Sequence, residues 1–252
     1  MTQLPGTRLS VNVNKVATLR NTRHLGIPDP ARAARLCLEA GCAGITVHPR
    51  PDERHIRPAD VERIAEALRA FPAAEYNLEG NPFEESFMEH LRRFKPDQAT
   101  LVPDGRDVFT SNEGWNLRRA DLPRLAELVR EIRDLGSRVS LFMDAGSPDL
   151  ERVAELGAHR IELYTEPYAA AFERGAAEAQ SSAATFAETA RAAQALGLGV
   201  NAGHDLNRAN LPLFLSVVPQ VLEVSIGHAL IADALELGLP QTVRAYLAAI
   251  GG

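Results

Sequence analysis

The feature that most constrains this chain is a rhythm in which short, β-branched runs give way to helical runs, eight times between residues 9 and 250. Residues 9–14 (LSVNVN) alternate apolar and polar, the period of a strand. Residues 43–48 (AGITVH) are a buried-strand run, stopped by Pro49 and Pro51. Further strands are expected at 74–79, 97–102, 138–143, 159–164, 199–202 and 222–226. Helices are expected between them at 31–40, 59–70, 82–94, 121–135, 148–156, 168–196 and 211–217, and two more, 229–237 and 241–250, finish the chain. Residues 168–196 are long enough for a short inserted helix followed by a full one. Pro30 and Pro58 stand where helices open, and Gly41, Gly136 and Gly157 where they close.

Eight strand-helix units predict a parallel sheet, and eight is the number that closes as a (β/α)₈ barrel, an α/β fold with extra helices. The chain has 252 residues and no linker-like break, so one domain over 1–252 is expected. An open, doubly wound sheet is the alternative, and it would call for a Gly-rich fingerprint after the first strand that is absent. The net charge is −6 with no run of Lys or Arg, which argues against a nucleic-acid footprint while leaving room for local basic pockets that take small phosphorylated ligands. Cys37 and Cys42 have neither a disulfide framework nor zinc-ligand spacing around them and read as free core thiols. No stretch approaches eighteen apolar residues and the N-terminus lacks an apolar leader, so no membrane contact and a cytoplasmic location are expected.

Alternate strand residues face the helices and the lumen. One register is apolar: Val11, Ile45, Val47, Leu78, Leu101, Leu141, Ile161, Leu163, Val200, Val224 and Ile226, with Val13. The other is polar: Asn12, Asn14, Thr46, His48, Asn77, Glu79, Gln98, Thr100, Ser140, Asp144, Glu162, Tyr164, Asn201 and Ser225. Buried polar groups must be bonded internally, solvated or matched to a polar ligand, and the ligand is the expectation here. The ionisable members His48, Glu79 and Glu162 sit at strand ends, with His204 just past the seventh strand. Two carboxylates and two imidazoles at one mouth can divide acid and base roles, or hold a metal. At Gly227-His228 a strand ends on a glycine and a helix follows, a junction suited to an anion and equally to a tight turn.

With these positions laid out, the chain resembles the pyridoxine 5′-phosphate synthase family, barrel enzymes that close the vitamin B6 ring. The matching runs are Val11-Asn12-Val13 with Ala17-Thr18-Leu19-Arg20-Asn21, Gly44 through Arg50, Arg54-His55-Ile56, Asn77-Leu78-Glu79, Leu101-Val102-Pro103, Val200 through His204, and Ile226 through Ala229. Together they are specific where each alone is weak. The resemblance implies a transferase-type synthase that joins 3-amino-2-oxopropyl phosphate to 1-deoxy-D-xylulose 5-phosphate, needs no metal or organic cofactor and assembles as a homo-octamer. It implies that His48 and Glu79 accept protons, that His204 donates one and that Glu162 stabilises a transition state. It also implies that Asn12, Arg23, Asp205, Gly227 and His228 hold the aminoketone phosphate, and that Arg50, His55 and Thr110 hold the deoxyxylulose phosphate. Many members carry Asp-His where this chain has Asn14-Lys15, and Gly where it has Asp205. Lys15 is expected to bring a positive charge toward substrate, which requires the chain to bend after Asn14.

Two other functions compete on residue type. A metal-dependent isomerase or endonuclease-like barrel would use His48, Glu79, Glu162, His204 and His228 as ligands, but lacks a dense local spacing such as HExxH. A non-catalytic phospho-sugar binder would keep the pocket and turn nothing over.

Overall fold

The computed structural model describes residues 6–104 and 112–251. Its strands are β1 (Arg8–Asn12), β2 (Gly44–Val47), β3 (Glu75–Gly80), β4 (Gln98–Leu101), β5 (Arg138–Met143), β6 (Arg160–Tyr164), β7 (Gly199–Gly203) and β8 (Val221–Ile226). Each pairs in parallel with the next, and β1 pairs with β8, so the sheet closes in chain order as the expected (β/α)₈ barrel. The apolar register faces outward: Val11, Ile45, Leu78, Leu101, Leu141, Ile161, Val200 and Val224 are fully buried beneath the helices.

The helical layer consists of α1 (Asn14–Asn21), α2 (Pro30–Glu39), α3 (Pro58–Leu68), α4 (Glu85–Phe94), α5 (Leu122–Asp134), α6 (Leu150–Glu155), α7 (Glu166–Arg174), α8 (Ala176–Ala195), α9 (Leu211–Val217), α10 (His228–Leu237) and α11 (Leu239–Gly251). Side-chain caps set several starts: Asp29 accepts from the Ala31 amide at 3.1 Å and Asp121 from the Arg124 amide at 3.2 Å. The long alanine-rich stretch is two helices, divided at Gly175, whose φ of 140° lies outside the range side-chain-bearing residues favour. Tyr168 packs 5.0 Å from Phe214 and its hydroxyl donates to the Asn210 carbonyl at 2.7 Å, which ties α7 to the start of α9.

The lumen is filled with polar side chains, and most of them bond to one another. At its base Glu75 pairs with both Arg8 and Arg138. There Gln98 accepts from Arg138 at 2.9 Å and donates to Glu223 at 3.2 Å, while Asn201 accepts from Arg160 at 3.1 Å. Above that layer Ser10 and Thr46 share a hydrogen bond of 2.7 Å, Asn77 donates to Thr46 at 3.2 Å, and Thr100 donates to Asn77 at 3.1 Å. Burial without partners would cost each such group about 1–3 kcal/mol, so the self-bonded arrangement is the stable one. The polar register therefore divides by depth: Thr46, Asn77, Gln98, Thr100 and Asn201 belong to a structural plug, and only the uppermost side chains are left to face a ligand.

Four local expectations change. The first strand ends at Asn12 because Asn12 Oδ1 accepts from the Asn14 amide at 3.0 Å, folding the chain at Val13 (φ −94°, ψ 12°) into a helix that the two-residue alternation had concealed. Asn14 accordingly lies in a helical turn and not in the lumen register. The fourth helix starts at Glu85 rather than residue 82, since Asn81 Oδ1 accepts from the Phe83 amide at 2.9 Å and holds a turn there. Asp144 is exposed past the end of β5 and accepts from the Gly114 amide at 3.0 Å.

Candidate active site

The C-terminal ends of β1, β2 and β3 build one wall through a chain of asparagines. The His48 amide donates to Asn14 Oδ1 at 3.0 Å, Asn14 leans back on Asn12, and Asn12 Nδ2 donates to Glu79 Oε2 at 3.3 Å. That oxygen is also 3.9 Å from His48 Nδ1. Burial, then the charges of Asp104 and Glu223, push the Glu79 carboxyl up to about 8. His48 moves the other way: burial, followed by His55 and Arg50 nearby, holds it well below the usual imidazole range. A carboxyl and an imidazole side by side, both near neutral form, can pass a proton without either charge being stranded in the wall.

Beyond His48, Arg50 is buried and its Nη1 donates to Asp104 Oδ2 at 2.8 Å. His55 Nδ1 accepts from the Ile56 amide at 2.9 Å, which puts the proton of the neutral ring on Nε2. Burial, then Arg50 and Lys15, push His55 down to about 4. The loop carrying His55 is held from beneath: Arg20 Nη2 and Asn21 Nδ2 donate to the His55 carbonyl at 3.1 and 2.9 Å, and Arg20 pairs with Asp60 below the surface. A cavity of about 180 Å³ opens here between the β2 and β3 loops, lined by His48, Arg50, Asp52, Asn81, Glu84 and Asp104 among others.

The opposite wall comes from β6, β7 and β8. Glu162 is buried, and burial followed by the charges of Glu79 and Glu223 raises its carboxyl well above the ordinary range. It fits because β7 offers Gly203 beside it; a Cβ there would stand 2.4 Å from Glu162 Oε1. His204 and Asp205 follow in left-handed backbone, φ 84° and 60°. Thr165 Oγ1 bonds the carbonyls of Gly203 and His204 at 2.7 and 2.5 Å, and Asp205 Oδ2 lies 2.8 Å from His204 Nδ1. The Tyr164 ring meets His204 edge-on at 5.1 Å and packs with Phe142 and Val102 as an apolar patch separate from the main core.

At the third side, β8 ends and Gly227 precedes α10, whose first residue is His228. A Cβ on Gly227 would lie 3.1 Å from Asn12 Cβ, so the glycine serves close approach between two strand ends. His228 is exposed there, and both it and Lys15 act electrostatically on Asp205. Lys15 sits in the first turn of α1, brought round by the bend at Val13, one residue earlier than expected. Arg23 is exposed just past the end of α1. Thr110 lies outside the described residues. Among the described residues no three His, Cys, Asp or Glu side chains converge as a metal-binding group. Reading the sequence alone passed over Thr165, Asp104 and the apolar patch; only Thr165, a hydroxyl directly after a strand end, left a local signal.

The profile of a family described as pyridoxal phosphate biosynthesis protein PdxJ matches residues 9–252. The chain belongs to that family. Among PdxJ relatives, the pyridoxine 5′-phosphate synthase of Albidiferax ferrireducens is 57% identical over 249 residues, covering 97% of each chain. The pyridoxine 5′-phosphate synthase of Xanthomonas campestris pv. campestris is 54% identical over 252 residues, covering 98% of this chain and 97% of its own. The PdxJ barrel is also similar to 3-keto-L-gulonate-6-phosphate decarboxylase from Vibrio cholerae (TM-score 0.61, 12% identity, 98% of each chain). Tryptophan synthase from M. tuberculosis is comparable, with a TM-score of 0.63 at 13% identity over 97% of this chain and 92% of that one. At such identities the likeness is one of fold alone.

Proposed function

We propose that this mouth carries out the pyridoxine 5′-phosphate synthase reaction, condensing 3-amino-2-oxopropyl phosphate with 1-deoxy-D-xylulose 5-phosphate to pyridoxine 5′-phosphate, phosphate and water. The observation that carries the reading is Glu79, whose carboxyl lies 3.9 Å from His48 Nδ1 at the end of β3, with His204 four strands away around the barrel. Joining an amine to a ketone, dehydrating and closing a ring move protons repeatedly, so one group must accept while a separate one donates. Glu79 and His48 are the acceptors, His204 the donor, and Glu162 faces the charge that develops between them.

The two phosphates divide between the two sides. Arg50, His55 and Thr110 take the deoxyxylulose phosphate, with Lys15 adding positive charge and Asn14 fixing His48. Asn12, Arg23, Gly227, His228 and the backbone at Asp205 take the aminoketone phosphate. The reading brings with it a transferase-type enzyme of one domain, working in the cytoplasm as a homo-octamer without a metal or organic cofactor. Purified protein given both substrates is expected to form pyridoxine 5′-phosphate and release phosphate. His204→Asn and Glu79→Gln should each abolish most of that turnover while still binding substrate. Substrate binding with no product from the wild-type protein would leave a phospho-sugar binder instead. Light scattering is expected to give the mass of eight chains.

A further inference from the structure

His204 and Asp205, consecutive in the turn after β7, form a side-chain pair. The Asp205 carboxylate lies 2.8 Å from His204 Nδ1, on the side of the ring away from Nε2. Its backbone is in left-handed conformation at φ 60°, a place where glycine fits more easily than any side chain. Strain of this kind persists only where the surroundings fix it, and here they do. Buried Thr165 bonds the two carbonyls before the turn, and Asn210 Nδ2 donates to the Asp205 carbonyl at 3.2 Å. Aspartate tolerates such a position better than most side chains, and here its carboxylate is turned onto His204 Nδ1. That side chain does not suit a phosphate, whose charge has the same sign.

We propose that Asp205 is a positioning residue for His204: its carboxylate holds Nδ1–H, fixes the tautomer, and leaves Nε2 as the nitrogen that exchanges a proton with substrate. The inference rests on the reading of His204 as the donor. The Tyr164 ring, 5.1 Å away and at 79° to the imidazole, restricts the ring plane from the β6 side. Hydrogen bonding by His204, together with the nearby charges of His204, His228 and Lys15, holds the Asp205 carboxyl below the usual range against the opposing effect of burial. When the imidazolium gives its Nε2 proton to substrate, the ring that remains is the Nδ1–H tautomer, still donating to Asp205. The carboxylate takes no proton in the step, and return of a proton to Nε2 restores the starting state.

The test compares wild type with Asp205→Gly and Asp205→Asn by histidine ¹⁵N NMR and steady-state kinetics, the His204 signal being assigned among the seven histidines through His204→Asn. Wild-type neutral His204 is expected as Nδ1–H. Asp205→Asn, whose amide oxygen still accepts, should keep that tautomer with reduced kcat. Asp205→Gly should shift the ring toward Nε2–H and lower kcat by about 10- to 100-fold, by analogy with losing a group that orients a metal-bound imidazole, with little change in KM for the aminoketone phosphate. An unchanged tautomer in Asp205→Gly would overturn the proposal, as would a raised KM with kcat intact, which would make Asp205 a substrate contact. His204→Asn separates the two failures. Near-wild-type turnover there removes His204 from the reaction, whereas a silent Asp205→Gly beside an inactive His204→Asn removes only the positioning role.

Discussion

Glu75 and Glu79 stand on the same strand and the same face, yet their depths in the barrel give them opposite tasks. Glu75 closes the base of the lumen between Arg8 and Arg138, whereas Glu79 accepts from Asn12 and lies beside His48. Glu75→Gln is expected to lower unfolding stability by about 1–3 kcal/mol in denaturant titrations while kcat stays near wild type. Glu79→Gln is expected to lower kcat about 10²- to 10⁴-fold. Its stability should respond to pH in a defined direction. The folded carboxyl keeps its proton up to about 8, while the unfolded one loses it near 4.5. Between those values the fold binds more protons than the unfolded chain, so stability present in full below about 4.5 is lost as pH rises through 8. Glu79→Gln removes that loss, and its Tm advantage over wild type should grow from pH 5 to pH 8. An advantage equal at both would contradict the assignment. Gly203→Ala presses a methyl group toward Glu162 Oε1, and a clear fall in kcat with a cooperative thermal transition preserved is the expected result.

At the scale of elements, α1 matters most because it carries contacts to the site on two sides. From its first turn come Asn14, which holds the His48 amide, and Lys15; from its last come Arg20 and Asn21, which hold the His55 loop. Arg20→Ala leaves Asp60 buried without its cation, and a loss of about 3–5 kcal/mol is expected in equilibrium unfolding. The same variant should raise KM for deoxyxylulose phosphate, since the loop it supports carries Arg54 and His55. Lys15→Met is expected to weaken deoxyxylulose phosphate binding with kcat little changed, measured by saturation kinetics; an unchanged affinity would return Lys15 to the surface. The helix itself was hidden in the sequence. LSVNVN continues a strand period through Asn14, and the bend depends on one side-chain bond from Asn12 that no periodicity records.

Across the whole molecule, the eightfold order of strands and helices was legible because burial imposes it: a strand covered by helices on one face and packed in a lumen on the other has to alternate, and each helix has to end in residues that let the chain turn back. His48 and Glu79 were legible for the same reason, since they fall at strand ends in that order, with His204 just past it; Glu162 was expected at a strand end and lies in the middle of β6 instead. The amino-acid order alone therefore fixes the barrel and most of its strand register, and it names several of the side chains at its mouth, though not Thr165 or Asp104. Which polar lumen residues bond to each other and which are left at the mouth emerges from the folded barrel, because that depends on depth, and depth depends on the stagger of neighbouring strands. It also shifts the acidity of the site. Glu79 and Glu162 carry ordinary carboxyls in sequence; burial beside other carboxylates, which no single run of residues contains, raises both above the usual carboxylate range.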